Sequence, residues 1–492
     1  MYIGIDLGTS SVKLILVSST GVIHKTISKS YDLHMPYPTW SEQHPIDWYN
    51  QTIEGLIELV QGYEKEIKAI SFSGQMHGMV ILDAYDEVIR PAILWNDQRT
   101  TEEVSYLNDV VGMQKILQET GNIALTGLTA PKLLWVKKHE PALFSRISKV
   151  MLPKDYLIYR LSGVFATDES DVSGTLYYDV EHKKYSSFML DILNLRIEQC
   201  PKVYESFQTV GTIKQSLAKE LGLLPSVKIV AGGGDQAVGA IGTGIVNDGE
   251  CSVSLGTSGV VFVASNAFKV DNISYLQSYV HSNGKYHLMG VMLNAAGSLK
   301  WWTEQIFQNY NYQDFFEKLD HVAYDDDLYF LPYLNGERAP INDALARGVF
   351  FGLRSDHRKE NMDRAVVEGV TFALKQIFDL IIDLGVPINR IRLTGGGAKS
   401  PIWAKMIADV MNIEVSTIES EEGPAFGAAI LAMVGEGIFV TVEQACQTII
   451  KTKNVYYPNV ARHNVYSLKY NFYKSIYPTI KSLFLEQSLY KR

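Results

Sequence analysis

Cysteine is scarce in this chain: three residues in 492, Cys200, Cys251 and Cys446, an odd number at no metal-type spacing. That argues against a disulfide framework and sets the expectation of a reducing, cytoplasmic setting. Long apolar runs are missing as well. Those present are cut by charges or glycines before the ~20 residues a membrane helix needs, as Asp235 cuts the run 228–246. The opening MYIGIDLGTSS has neither a basic n-region nor an apolar h-region, so no signal peptide is expected. Basic excess is absent: 45 Lys+Arg against 54 Asp+Glu leave a formal charge of −9. With no Lys/Arg-rich block there is no electrostatic footprint for nucleic acid or an anionic membrane, and small-molecule partners are expected. The eleven histidines show no H-E-x-x-H or comparable spacing, so a zinc site is not expected. Length and apolar content are plentiful. At about 150 residues per domain the chain allows roughly two to four domains, and 46% hydrophobic residues supply their cores.

Short β-rich runs bounded by Gly or Asp, at 2–5, 12–17, 67–72, 227–231, 252–255 and 391–393, alternate with amphipathic stretches of helical period. That pattern predicts an α/β fold. The opening strand, tight turn and second strand predict a β-hairpin, and so a mixed sheet rather than a purely parallel one. A helix is expected over 361–384, capped by Asn361. Within it Ala365, Val366, Gly369, Val370, Ala373, Ile377 and Ile381 recur at three- and four-residue steps. A second glycine-rich episode at 231–259 repeats the grammar of the first and is taken as the seam between two similar lobes. LGTSSV (7–12) and LGTSGV (255–260) nearly coincide, although one shared hexapeptide carries little weight by itself. In the tail, Tyr466, Tyr470, Tyr473 and Tyr477 share a helical face that Pro478 is expected to interrupt, which predicts a docking helix.

Asp6-Leu7-Gly8-Thr9-Ser10-Ser11 joins two apolar strands and gathers hydroxyls and N–H groups at one turn, which suits a phosphate. Asp6 is an oxygen donor able to hold Mg²⁺ through water. Taken alone, the same residues also make an ordinary hairpin turn with a self-bonding Asp. Gly232-Gly233-Gly234-Asp235-Gln236-Ala237 follows a strand, so the backbone can approach a ligand closely. Asp235 there suits taking a proton from a substrate hydroxyl that attacks phosphorus, and equally suits capping a helix. Gly395-Gly396-Gly397-Ala398 offers bare backbone to an adenine or ribose. Lys399-Ser400 does not complete a P-loop, because Ala398 stands where that motif needs glycine. No glycine run reads G-x-G-x-x-G with an acidic ribose partner, so a dinucleotide site is not expected. Gly74-Gln75-Met76-His77-Gly78 and Trp95-Asn96-Asp97-Gln98-Arg99 combine polar side chains with a large apolar one, which suits polyol recognition. His77 and Trp95 each also fit a satisfied core position.

Together, DLGTSSVK, GQMHG, LWNDQR, TAPKLLWVKKH, LPKDYL, GGGDQA, SLGTSG, YLNGER, GVFFGL and TGGGAKS resemble the FGGY family of carbohydrate kinases over residues 1 to about 437. Residues 127–139 look like the first family signature and 348–368 like part of the second. GQMHG, LWNDQR, TAPKLLW and PKDYL are most similar to the members that phosphorylate D-xylulose to D-xylulose 5-phosphate with ATP and Mg²⁺. Glycerol-specific members instead carry an Arg-Glu pair in place of Met76-His77.

The resemblance implies two ribonuclease-H-like lobes of the actin/hexokinase/Hsp70 type with a cleft between them. An N-terminal lobe over 1–245 would hold the sugar site and first phosphate turn, a C-terminal lobe over 246–440 the nucleotide, and 441–492 would form a helical tail. Carried over position by position, Asp235 is implied as catalytic base and Asp6 as the carboxylate for Mg²⁺ and phosphate, the two making the metal side. Met76 and His77 are implied as the sugar-binding pair, with Asp97 and Gln236 as further sugar contacts. Thr9, Ser10, Thr257, Gly396 and Gly397 are implied as nucleotide positions. Several relatives place Asn just beyond the last glycine run, where this chain reads Lys399-Ser400-Pro401, so the adenine contact is left unassigned. Many members form dimers, which sets the expectation of a homodimer. Two rival expectations stand beside this one. The first is a kinase of the same family for L-ribulose, gluconate, glycerol or another polyol; the second is a sugar-independent ATPase of the same fold.

Overall fold

The computed structural model of the protein describes residues 1–490 except 274, 309, 310, 325 and 421. The last two residues of the expected tail, 491 and 492, lie outside the described residues. The chain opens with β1 (Tyr2–Leu7), β2 (Ser11–Val17) and β3 (Ile23–Ser30), each antiparallel to the next. The helix α1 (Pro45–Val60) then carries it to β4 (Ala69–Gly74), parallel to β1 on its other side. Two helices of the long excursion that follows bear on the site, α2 (Thr129–His139) and α3 (Pro153–Ser162). The strands β5 (Thr209–Thr212) and β6 (Lys228–Val230) complete the sheet in the order β5-β6-β4-β1-β2-β3.

The helix α4 (Asp235–Thr243) leads to a second sheet. There β7 (Glu250–Leu255), β8 (Gly259–Ser265), β9 (Gln277–Val280) and β10 (Tyr286–Met292) come before α5 (Lys359–Asp383). After it come β11 (Arg390–Thr394), α6 (Pro401–Met411), β12 (Val415–Ile418), α7 (Gly423–Glu436), β13 (Thr452–Tyr456) and the closing α8 (Val460–Leu489). The strand order is β9-β10-β8-β7-β11-β12-β13. Five strands of each sheet correspond, β3-β2-β1-β4-β6 in one and β10-β8-β7-β11-β12 in the other. In both, an antiparallel meander gives way to parallel strands, the ribonuclease-H-like arrangement. The hexapeptides 7–12 and 255–260 lie at the same hairpin turn of each lobe.

Although α7 comes from the second half of the chain, it packs on β1 and β4 of the first sheet and against α4. Ala425, Ala428 and Ala429 share a core there with Tyr2, Val17 and Ala69. Glycine makes the approach feasible. A Cβ on Gly242 would lie 1.8 Å from the Gly423 carbonyl oxygen, and one on Gly427 would lie 1.9 Å from that of Val238.

The expected apolar stripe of α5 is buried along its length. Asn361, expected as its cap, lies inside the helix instead: its Oδ1 accepts from the Arg358 N–H at 3.0 Å and its Nδ2 donates to Asp326 at 2.7 Å. Pro478, expected to interrupt α8, is carried within it. Buried rings on both sides of the proline, from Tyr466 to Phe484, hold the helix to the second lobe against the cost of the missing N–H. Tyr466, Tyr470 and Tyr473 pack on Phe372 of α5, and Tyr470 donates to Asp379 at 2.6 Å. All three cysteines are free and buried. No helix among the described residues is long and apolar enough to cross a membrane.

Candidate active site

At the end of β4 the chain turns through Gln75, Met76 and His77. His77 takes a left-handed backbone conformation (φ 67°), which is costly for a residue with a side chain and so must be held by its surroundings. The hold is visible: the His77 carbonyl accepts from Lys132 Nζ at 2.7 Å and from Thr129 Oγ1 at 3.1 Å, both on α2. The ring is fixed as well, with Nδ1 2.9 Å from the Gly174 carbonyl oxygen. A carbonyl only accepts, so Nδ1 carries the proton and Nε2 keeps its lone pair. Burial, helped by the Lys132 charge, pushes the imidazole down to about 3, so it is neutral. His77 thereby presents an acceptor for a hydroxyl. Met76 packs with Tyr279 and Met289 of the second lobe.

Around these residues lies a pocket of about 160 Å³. The first lobe contributes Met76, His77, Trp95, Asp235 and Gln236 to its walls, and the second contributes Val260, Gln277 and Arg338. Four of the expected sugar-side and catalytic residues therefore meet in one place. Asp97 does not join them. It is fully buried and accepts from the Ser41 N–H at 2.6 Å and from Arg99 N, Nε and Nη2 at 2.7 to 2.9 Å. The Arg99 guanidinium in turn lies 3.7 Å from the Trp40 ring centroid. These donors hold Asp97, expected as a sugar contact, against Ser41 and Arg99, and it is not among the residues that line this pocket. Trp95 does line the pocket, and its indole N–H donates to the Thr9 hydroxyl at 3.0 Å. Arg338 and Gln277 escaped the sequence reading. YLNGER carried Arg338 only as part of a family resemblance, and nothing around Gln277 marked it.

Asp235 opens α4 directly after three glycines. The Gly234 N–H donates to Ser170 Oγ at 3.1 Å, and that hydroxyl donates to Asp168 at 2.6 Å. Beneath, Lys154 of α3 pairs with Asp155 at 2.7 Å and Asp168 at 2.8 Å with no solvent exposure. The turn carrying Asp235 thus rests on a buried ion network. Desolvation and then the charge of Asp6 push the Asp235 carboxyl up to about 7. Asp6, near the end of β1, accepts from Ser73 Oγ at 2.9 Å and is pushed up to about 6, chiefly by desolvation. Two neighbouring carboxylates, both disfavoured as anions, fit a hard divalent cation that takes one or two carboxylates together with phosphate oxygens.

Asp235 also lines a cleft of about 660 Å³ between α4, β7, β8, the 395–396 turn and the start of α7. A third recess of about 980 Å³ continues from it, sharing Gly396, Lys399 and Pro401. Gly256, Thr257, Gly297 and Gly397 give this recess bare backbone and a hydroxyl, while Phe316, Ile402 and Trp403 give it apolar walls. Thr257, Gly396 and Gly397 are therefore together. Thr9 and Ser10 stand at the β1–β2 turn of the other lobe, outside this recess. Ser400 accepts from the Trp403 N–H at 3.2 Å and caps α6.

Two ribonuclease-H-like lobes, and a small pocket of mixed polar and apolar lining that meets a larger cleft at one carboxylate, are the arrangement a two-substrate group-transfer enzyme needs. Comparison with known proteins is specific. Residues 1–242 match the N-terminal domain and residues 251–436 the C-terminal domain of the FGGY family of carbohydrate kinases. A xylulose kinase of Staphylococcus epidermidis is 39% identical over 98% of this chain and 97% of its own length. One from Escherichia coli is 41% identical over 88% of this chain and 90% of its own length. The crystal structure of a xyloylose kinase from Brucella ovis superposes with a TM-score of 0.93 at 36% identity, covering 98% of this chain and 99% of that one. The chain belongs to the FGGY family of carbohydrate kinases.

Proposed function

We propose that this protein transfers the γ-phosphoryl group of ATP to the 5-hydroxyl of D-xylulose, giving D-xylulose 5-phosphate and ADP. The observation that carries the reading is the position of Asp235, the one carboxylate among the described residues that lines both the small pocket and the large cleft. A hydroxyl held in the pocket and a phosphate reaching in from the cleft meet at that oxygen. Asp235 takes the proton as the sugar oxygen attacks phosphorus in line. Met76, His77 and Gln236 position the sugar, and positioning supplies much of the rate. Thr257, Gly396 and Gly397 receive the nucleotide, with its adenine in the apolar recess, while Thr9 and Ser10 face the transferred phosphate. Asp6 and Asp235 would hold Mg²⁺, which when bound would supply positive charge to offset that of the phosphoryl group. In this reading 1–245 is the sugar-side lobe and 246–440 the nucleotide-side lobe, a division supported by the family matches at 1–242 and 251–436, while 441–492 adds β13 to the second sheet before its closing helix.

The test is a coupled ADP-release assay with ATP, Mg²⁺ and equal concentrations of D-xylulose, D-ribulose, L-ribulose, gluconate and glycerol. D-Xylulose should give the highest kcat/KM. A clear preference for another acceptor would replace the substrate assignment, and ADP release indifferent to every acceptor would replace the kinase. Asp235→Ala should lower kcat about 10²- to 10⁴-fold with little change in sugar KM, the range expected for loss of a general base. The pH profile gives a second check. A base must be ionised to act, and the Asp235 carboxyl is pushed up to about 7. In wild type, kcat/KM should therefore fall as pH drops below about 7, by about tenfold per pH unit.

A further inference from the structure

Arg338 is the one arginine or lysine among the described residues that line the small pocket, which Asp235 and the neutral His77 also line. The main chain of Arg338 is pinned: its N–H donates to Glu337 Oε1 at 2.8 Å, the same oxygen accepts from the Leu293 N–H at 2.7 Å, and the Ala339 N–H donates to the Val291 carbonyl at 3.1 Å. Its guanidinium, by contrast, has no hydrogen bond or ion pair among the described residues. A half-buried guanidinium that lines a pocket without a protein partner keeps its donors for water or for a ligand. The place of Arg338 in the pocket follows from its neighbours. Val291, which accepts from the Ala339 N–H, belongs to β10, and Met289 of that strand packs with Met76 and Tyr279, whose ring centroid lies 6.1 Å from that of His77. Arg338 thus stands on the β10 side of the pocket, with Met76 and His77.

The chemistry of the substrate supplies the rest, and this step rests on the function proposed above. A ketopentose closes its five-membered ring through O5 onto C2, so in the ring form O5 has no proton to give. Phosphorylation at O5 requires the open chain, which carries a free C2 carbonyl beside the C1 hydroxyl. With O5 at Asp235, that α-hydroxyketone extends into the pocket, whose β10 side carries Arg338. We infer that Arg338 is a specificity-determining residue whose guanidinium donates in bidentate fashion to the C2 carbonyl and C1 hydroxyl oxygens, so that the pocket selects open-chain ketoses. The planar fork of arginine suits two adjacent acceptors, and an ammonium does not.

The experiment compares wild type, Arg338→Ala and Arg338→Lys on D-xylulose, on 1-deoxy-D-xylulose, which lacks O1, and on D-arabinitol, which lacks the carbonyl. ATP KM and melting temperature serve as controls for folding. The preference of wild type for D-xylulose over D-arabinitol, read as a ratio of kcat/KM, should shrink at least about tenfold in Arg338→Ala. Arg338→Lys should recover only part of it, and 1-deoxy-D-xylulose should lose less than D-xylulose does. An equal loss on D-xylulose and D-arabinitol overturns the inference, because the residue then serves the pocket in general. Full recovery by lysine overturns it too, since charge would suffice without the fork. A wild type that ignores D-xylulose and turns over gluconate overturns the proposed function together with this inference. A wild type that prefers D-xylulose, with an Arg338→Ala variant that keeps that preference, overturns the inference alone.

Discussion

Trp95 has its ring on the sugar-side pocket and its indole N–H on Thr9, the hydroxyl of the β1–β2 turn. One side chain therefore touches both the pocket proposed for the acceptor and the turn proposed for phosphate. Trp95→Phe keeps the apolar face and removes the hydrogen bond. It should lower kcat by about three- to tenfold while leaving sugar KM nearly unchanged, the cost of one neutral hydrogen bond at about 1 kcal/mol. Trp95→Ala should raise sugar KM as well. Steady-state kinetics with both variants checks this, and a Trp95→Phe enzyme indistinguishable from wild type would remove the link to Thr9. At this scale the sequence was partly legible. Met76, His77, Gln236 and Asp235 share a site because each sits in a turn where polar and small residues follow a buried strand. Asp97 looked equivalent from its neighbours, but an arginine two residues away took its oxygens. Which of two polar partners a carboxylate chooses is settled by rotamers, which no spacing rule records.

The contact between α4 and α7 depends on glycine, and this makes a sharp contrast available within one helix. A Cβ at Gly427 meets a carbonyl oxygen at 1.9 Å, and backbone cannot yield cheaply. At Gly423, one turn earlier on α7, a Cβ would meet nothing within 4 Å. Gly427→Ala should therefore destabilise the protein by about 1–3 kcal/mol, the usual cost of overpacking, and Gly423→Ala should leave the melting curve almost unmoved. Thermal or urea unfolding of the two variants decides it, and equal effects would mean that the helices can slide apart. The elements themselves were mostly readable, since the stripe of α5 and the tyrosine face of α8 are plain periodicities. Pro478 misled because a proline's local cost is fixed, whereas the buried rings that outweigh it lie on another element.

At the scale of the molecule, the second glycine-rich episode at 231–259 and the family resemblance pointed to two lobes, and the near-identical turns at 7–12 and 255–260 added little by themselves. Nothing in the small-residue run of α7 revealed that it would cover the other lobe's sheet, because which surface an apolar helix finds is a property of the assembled fold. That helix ties the halves together, while the small pocket draws its walls from both, with His77 and Trp95 on one side and Gln277 and Arg338 on the other. A ligand that touches both walls favours the closed arrangement by its differential contacts. Closure in turn excludes water from the phosphoryl group. Sugar alone should therefore slow hydrogen exchange at the 74–78 turn and in 335–340 together, and lower the radius of gyration in solution scattering. ADP release without sugar should be slow for the same reason, the open cleft leaving Asp235 with no positioned hydroxyl. Protection confined to the 74–78 side would show that the pocket closes locally and that the lobes do not move, and water exclusion would then have to come from the nucleotide side.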